Sequence, residues 1–351
     1  MRLKIAYCGI CGSDLHEYEA GPMLYGGCVL HDLMAGYVPD DMYTEVNRFT
    51  GARLPQIMGH EMSGTVVELG DNVQDFKLGQ RVTVNAAIDD RHHGLNLCDF
   101  CSAGRYNVCD RIHFYGVNSP HGGFAEEIVV RKFALVPLPD DVGLKVAALA
   151  EPLAVAAHMI RISSFQKGQD AVVFGAGPIG TALTFLLKDS GARQVIVSEV
   201  ADARISMAKF AGADHVANPT KENVVDTVRS LTASGADVAF DACGLQDTLD
   251  AAIASVKTGG TIFNVALHEK PLQLNLNLLT ITEKKLMAGN AYTAEDFDRV
   301  IKLLSTRGGE MEQFITAVVP LEDAVRGGFE EIVRNKARHN KILVQVADDD
   351  Q

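Results

Sequence analysis

The sequence predicts a two-domain α/β protein in which a β-rich N-terminal part precedes a doubly wound, parallel sheet. Three observations carry that prediction. Short β-prone runs separated by Gly- and Pro-rich turns occupy the chain up to about Pro139. Apolar runs then alternate with helical patterns, and the first of these runs leads directly into Gly175-Ala-Gly177-Pro178-Ile179-Gly180. Strands alternating with helices imply βαβ units with right-handed crossovers and hence a parallel sheet.

In chain order, the β-rich part offers strand-like runs at 64–69, 81–85 and 124–130. The composition changes across 137–143, where the second domain begins. That domain reads as a strand at 171–174, a helix opened by Pro178, a strand at 194–198, a helix from Ala201, and strands at 238–241 and 261–266. A helix at 295–305 and strand-like runs at 315–320 and 341–346 return to the first domain. The expected organisation is therefore 1–139, 140–292 and 293–351, with the acidic Asp348–Asp350 end as a frayed tail.

Composition excludes several classes of function. Of 351 residues 47% are hydrophobic and 22% charged, ordinary values for a folded protein. A formal charge of −13 without a dense Lys/Arg cluster argues against nucleic acid or an anionic membrane as partner. The most apolar stretch, 146–160, is broken by Glu151 and Pro152, so no membrane span is expected. The basic, short apolar start at 1–10 does not make a secretory signal, and a cytoplasmic protein is the expectation. Seven cysteines, three of them within 98–109, fit metal ligation better than a disulfide framework.

The glycine-rich turn has the form of a dinucleotide fingerprint. Gly175 makes the tight turn, Gly177 lets backbone approach a pyrophosphate, and Gly180 lets helix and strand pack closely. Pro178 and Ile179 open the helix, whose free N–H groups and positive dipole end face the phosphates. Glu199, nineteen residues past Gly180, ends the next strand, where a carboxylate accepts from ribose hydroxyls and repels a 2′-phosphate. NAD is thus favoured over NADP. Arg204 reads as a solvated or adenine-stacking side chain, and holding a 2′-phosphate is its alternative role.

Cys11 lies in Cys8-Gly-Ile-Cys11-Gly-Ser13-Asp-Leu-His16, and His60 and Glu61 follow Gly59. Catalytic zinc takes three protein ligands of these types and keeps one position open. These segments, Cys98-Asp-Phe-Cys101 through Gly104 to Cys109, Gly122-Gly-Phe-Ala-Glu126, Glu151-Pro-Leu153 and the fingerprint occur together in one order. In that order the chain resembles the zinc-containing medium-chain dehydrogenases over essentially its whole length. The resemblance is strongest to the 2,3-butanediol dehydrogenase branch of fungal type, through Ser13-Asp-Leu-His-Glu-Tyr18, Gly21-Pro22 and His60-Glu-Met-Ser-Gly64.

The resemblance implies a GroES-like catalytic domain, a Rossmann cofactor domain and a zinc held by Cys11, His60 and a glutamate. Glu151 would take the third ligand position, and Glu61 would bind directly or exchange with water beside the metal. Cys8, despite its Cys-x-x-Cys spacing, reads as packing. Cys98, Cys101 and Cys109 resemble a structural zinc lobe of four thiolates, but Leu95 stands where the fourth would be. Either His93, His92 or Asp99 substitutes, or the lobe is metal-free.

Ser13 resembles the relay hydroxyl of the family and His16 its solvent-side base. The implied reaction moves a hydride between NAD and a secondary alcohol, with a vicinal diol such as 2,3-butanediol, interconverted with acetoin, favoured over sorbitol-type polyols. The 19–56 segment, with Cys28 and His31, would rim the pocket. A homodimer or homotetramer is implied, through edge strands near 261–278. Two alternatives remain at this point: a non-catalytic, NAD-binding remnant, and a zinc-free quinone reductase, which would have no use for Cys11, His60 and the cysteine lobe together. The remnant reading has one foothold. Cys11 follows a short N-terminus where relatives carry one more strand pair, which would leave a sheet edge open beside the metal.

Overall fold

The computed structural model describes residues 1–21, 46, 47, 49–268 and 270–347. Cys28 and His31 of the expected rim and the acidic 348–350 end lie outside the described residues. The chain forms two compact units, one made of Met1–Ala154 with Tyr292–Gln351 and the other of Val155–Ala291.

The first unit is built on strands β1 (Arg2–Gly9), β2 (Glu61–Glu68), β3 (Arg81–Val84), β6 (Glu127–Val129) and β7 (Leu135–Pro137), with a separate hairpin of β4 (Ala87–Ile88) and β5 (His113–Phe114). Helix α1 (Gly12–Ala20) follows β1, and short helices α2 (Asp90–His93) and α3 (Asp99–Ser102) precede the cysteine-rich turn. Helix α4 (Ala150–Ile162) begins in this unit, so the division falls inside a helix rather than in the 137–143 turn region that the composition had suggested. The first turn of α4, with Glu151, belongs to the first unit.

β1 was not foreseen as a strand, because no turn signal precedes its short apolar run and its partners lie far along the chain. In the fold it is central. It pairs antiparallel with β2 from Arg2 to Gly9, while its other edge is shared by β6 at Arg2–Lys4 and by the late strand β15 (Lys341–Gln345) at Tyr7–Gly9. Ile10 N–H donates to Ile342 O at 3.0 Å, which extends that pairing to the residue before Cys11. The open edge expected beside Cys11 is therefore absent among the described residues, since the returning C-terminal strand covers it. Leu3, Ile5 and Cys8 of β1 are fully buried against Met62, Val66, Val82 and Val84. Burying a side chain of Ile or Leu size contributes about 1.5–3 kcal/mol.

The second unit is a six-stranded parallel sheet of β8 (Asp170–Phe174), β9 (Gln194–Ser198), β10 (His215–Ala217), β11 (Ala236–Asp241), β12 (Val256–Asn264) and β13 (Lys285–Ala288). Their order is β10-β9-β8-β11-β12-β13. β8 is buried at every position, as expected of a strand covered on both faces. Helices α5 (Pro178–Asp189), α6 (Asp202–Phe210), α7 (Val224–Thr232) and α8 (Gln246–Ser255) provide crossovers. The strand order reverses direction at β8, where the fingerprint turn emerges.

The chain then returns to the first unit through α9 (Ala294–Met311), β14 (Ile315–Pro320) and β15 (Lys341–Gln345). β15 sits between β14 and β1. No helix among the described residues is long and apolar enough to cross a membrane.

Candidate active site and metal centres

Antiparallel pairing assembles the first group of ligand-type residues. Gly9 is the register partner of Glu61, so the end of β1, which leads to Cys11, lies beside the start of β2, which carries His60 and Glu61. Gly9 has to be glycine: a Cβ there would sit 2.0 Å from Glu61 Oε2. Ligand atoms of Cys11, His60 and Glu61 all fall within 4.8 Å of one another. Tetrahedral zinc with bonds of about 2.0–2.3 Å holds its ligand atoms roughly 3.3–3.8 Å apart, so a small contraction fits these three around one ion.

Residues around this group fix its orientation. Asp14, 1% exposed, accepts the Cys11 N–H at 2.8 Å and places its other oxygen 3.5 Å from His60 Nδ1. That nitrogen is buried and makes no hydrogen bond of its own. Nδ1 turned to a carboxylate leaves Nε2 for a metal, the arrangement that holds a ligating imidazole in one tautomer. Burial works to lower the pKa of His60, but the Asp14 and Cys11 charges outweigh it and hold the imidazole well above its ordinary value. Ser13 Oγ lies 3.4 Å from His60 Nε2. His16 stands one turn further along α1, half-buried, on a helix rather than in a loop.

Glu61 does not stand alone. Lys341, at the start of β15 and 3% exposed, donates to both Glu61 oxygens at 2.6 Å and to Ile10 O at 3.1 Å. All three ammonium protons are thereby used. Burial lowers the lysine's pKa, but Glu61 and Cys11 more than compensate, and it stays above its usual range.

Glu151 lies in the first turn of α4 and is also buried. Its carboxyl is hydrogen-bonded to the Tyr292 hydroxyl, which in turn accepts from Ala86 N–H at 3.3 Å. Burial pushes the Glu151 carboxyl up to about 7, with His60 opposing and Glu61 adding to the rise. Tyr292 is raised well above its usual value by burial and by Glu151, so it remains a neutral donor. Glu151 is not within the tight Cys11, His60, Glu61 group. The two glutamates differ physically: Glu61 has a cation at hydrogen-bond distance, whereas Glu151 shares the site with a phenol.

The cysteine lobe forms a second group, and its fourth member was not foreseen. Ligand atoms of Cys98, Cys101 and Cys109 lie within 4.8 Å of each other and of a carboxylate oxygen of Asp90. The three substitutes considered from the sequence face elsewhere. His92 Nδ1 accepts from Asp89 N–H at 3.1 Å, His93 meets His113 edge-to-face with ring centroids 5.4 Å apart, and Asp99 is exposed. Leu95 is 44% exposed.

In the second unit, Gly177 caps α5 and Pro178 is its first residue, so the fixed proline φ starts the helix. Gly180 must lack a side chain, since a Cβ would lie 1.8 Å from Gly175 O. A Cβ at Gly177 would meet nothing within 4 Å, and this open space beside the helix N-terminus suits a phosphate. Glu199 follows β9 and is buried. It accepts from Ala176 N–H at 2.8 Å through one oxygen, and from Val200 and Ala201 N–H at 2.8 and 3.0 Å through the other. Its carboxylate is thus tied to the fingerprint turn, with lone pairs left for ribose hydroxyls. Arg204 lies half-buried on α6, near enough to Cys243 to act on its thiol. Sequence reasoning missed Asp14, Lys341, Tyr292 and Asp90; only Asp14, three residues from Cys11 and at a helix start, left a local signal.

Comparison with known proteins agrees with this geometry. Residues 1–140 match the family model described as an alcohol dehydrogenase GroES-like domain, and residues 178–306 match that of a zinc-binding dehydrogenase. The chain is 37% identical to the (R,R)-butanediol dehydrogenase of Saccharomyces cerevisiae, over 97% of this chain and 90% of the relative. It is 35% identical to a probable diacetyl reductase, (R)-acetoin forming, of the same yeast, over 97% and 82%. The solved structure of 2R,3R-butanediol dehydrogenase from Bacillus subtilis superimposes with a TM-score of 0.86 at 32% identity, covering 99% of this chain and 92% of that one. Fold and site together define a zinc- and NAD-dependent oxidoreductase. The chain belongs to the zinc-binding, GroES-like alcohol dehydrogenase family, and its relatives there include butanediol dehydrogenases.

Proposed function

We propose that this enzyme oxidises a vicinal diol of the 2,3-butanediol type to the hydroxyketone with NAD as hydride acceptor, and that it reduces the hydroxyketone, or a diketone, with NADH as hydride donor. The observation that carries the reading is the buried Cys11, His60 and Glu61 group backed by Asp14 and Lys341. When bound, zinc acts as a Lewis acid that favours loss of the substrate hydroxyl proton, and NAD accepts the hydride.

The chain's own residues do the remaining work. Cys11 and His60 hold the metal, with Asp14 orienting the imidazole. Glu151 would be the third ligand, because Glu61 is the carboxylate whose two oxygens are already held by the Lys341 ammonium. Glu61, kept by Lys341, would be the outer carboxylate, beside the metal site and able to accept a second hydroxyl of a diol. Gly175, Gly177, Pro178, Ile179 and Gly180 take the pyrophosphate, Glu199 the adenosine ribose, and Arg204 flanks the adenine. The reading places the enzyme in the cytoplasm, where thiols stay reduced. It also makes the enzyme a homo-oligomer, supported by exposed Leu276, Leu278, Ile281 and Leu286 around the terminal strand β13.

The test is a substrate and cofactor panel. Butanediol stereoisomers, acetoin, sorbitol and primary alcohols are compared as kcat/KM with NAD and with NADP. A vicinal diol with NAD is expected to lead. A lead for sorbitol moves the assignment to polyols, and equal turnover with NADPH removes the role given to Glu199.

The proton released on oxidation leaves through Ser13, beside His60, and then His16. His16→Ala is expected to slow alcohol oxidation most at low pH, where few other bases are available, and external buffer restores it. An unchanged pH profile removes His16 from the route.

A further inference from the structure

The parallel sheet of the second unit has the strand order of two mononucleotide-binding halves, β10-β9-β8 on one side and β11-β12-β13 on the other. A dinucleotide lies across the carboxyl ends of such a sheet, one nucleotide over each half. With Glu199 at the end of β9 taking the adenosine ribose, the role given to it above and on which this inference rests, the nicotinamide nucleotide falls over the loops that leave β11 and β12. We propose that His268 is a positioning residue for that nucleotide, acting through the two loops, which its imidazole braces against each other.

Three features carry the proposal. First, the two loops are in contact. Val265 and Ala266 N–H donate to Asp241 O at 2.9 and 3.2 Å, so the chain leaving β12 starts along the end of β11. Gly244, with φ 74°, leaves the space for this: a Cβ there would lie 3.0 Å from Ala266 Cβ and 3.1 Å from Leu267 O.

Second, the loop after β11 also lies on the fingerprint turn. Ala242 N–H donates to Phe174 O at 3.0 Å, and a Cβ on Gly175 would be 2.6 Å from Cys243 Sγ. Asp241, 0% exposed, fixes the course of this loop by accepting Cys243 N–H at 2.9 Å and Gly244 N–H at 3.3 Å. Its pyrophosphate side is therefore set without His268.

Third, His268 ties the far side. Its Nδ1 donates to Gly244 O at 3.1 Å, and its Nε2 lies 2.9 Å from Asn264 Oδ1, while Asn264 Nδ2 donates to Ala266 O at 3.0 Å. The half-buried imidazole thus closes the loop after β12 on itself and onto Gly244. The sheet core beneath, with Phe174, Ala239 and Ile262, is built without it. Ordering a loop in advance removes an entropy cost that a ligand would otherwise meet on binding. This brace acts on NADH, which spans both halves, and spares ADP, which reaches only the adenosine ribose and the pyrophosphate turn.

The experiment titrates NADH against the full-length protein by the fluorescence of the reduced nicotinamide, with ADP as competitor. His268→Ala is expected to weaken NADH binding by about tenfold, the worth of one or two net hydrogen bonds, and to leave ADP within about twofold of the wild type. KM for NAD rises in step. His268→Gln, whose amide nitrogen carries two donor hydrogens, is expected to recover most of the loss. Equal weakening of NADH and ADP marks a general loosening of the unit and overturns the proposal. Unchanged NADH binding, or a His268→Gln variant no better than His268→Ala, overturns it as well. Glu199→Gln is expected to weaken ADP; if it does not, the adenosine assignment fails, while the NADH titration with both His268 variants still decides the brace.

Discussion

Cys11→Ala is expected to remove one zinc per chain and to lower kcat/KM for alcohol oxidation by about a thousandfold or more. Lewis-acid stabilisation of a developing alkoxide is worth several kcal/mol, and each 1.36 kcal/mol is about a factor of ten. The substitution is mild for the fold, because Cys11 is a half-buried residue at the start of α1 and not part of the core that holds β1. Metal content and steady-state rates are measured on the same preparation, with thermal unfolding of the chelator-treated proteins as control. Full metal content together with near-normal turnover would falsify the assignment of Cys11.

Lys341→Met addresses the other half of the site and should show first in stability. Removing the ammonium strands the Glu61 carboxylate in a position that is 0% exposed, and breaking a buried pair from one side costs about 3–5 kcal/mol. Urea unfolding of metal-free protein measures this. Replacing both partners, Lys341→Met with Glu61→Gln, should recover most of the loss, because no charge then remains to be desolvated. Adding zinc should rescue the single variant more than the wild type, since the released carboxylate can turn to the metal. A loss below about 1 kcal/mol in the metal-free single variant would show that water reaches Glu61 and that the pair is not a true buried one.

The parts of the fold visible in the sequence are those whose requirements are local. Gly180 was identified because its neighbour across the turn, Gly175 O, is five residues away and leaves no room for a methyl group. β9 and β14 were legible to the residue, since apolar runs flanked by turns define both ends. β12 begins earlier than its apolar run suggests, at Val256, where pairing with Ala236 of β11 fixes the start. β1 was overlooked because its strand character depends on three partners far along the chain.

The site residues divide in the same way. Cys11, His60 and Glu61 are of ligand type, but only the family resemblance marked them as a metal site, and the fold brings their ligand atoms within 4.8 Å of one another. Lys341 looked like the polar end of an apolar strand, because its partner Glu61 lies 280 residues earlier. Tyr292 and Glu151 meet through a helix start and a returning loop, a juxtaposition that no periodicity records. Asp90 was passed over because spacing pointed to position 95, and only the backbone path through α2 brings a carboxylate to the sulfurs.

The lysine that closes the Glu61 side of the site is synthesised long after the residues it grips. Lys341 is separated by 331 positions from Ile10, the carbonyl it grips. At roughly 5–20 residues per second, a ribosome needs about a quarter-minute to a minute to travel that far. During that interval the whole Val155–Ala291 unit has left the exit tunnel and can fold, while β1 still lacks its C-terminal neighbour. Until then Glu61 lacks its Lys341 partner. Insertion of β15 beside β1 is thus the step that brings the Lys341 ammonium to Glu61.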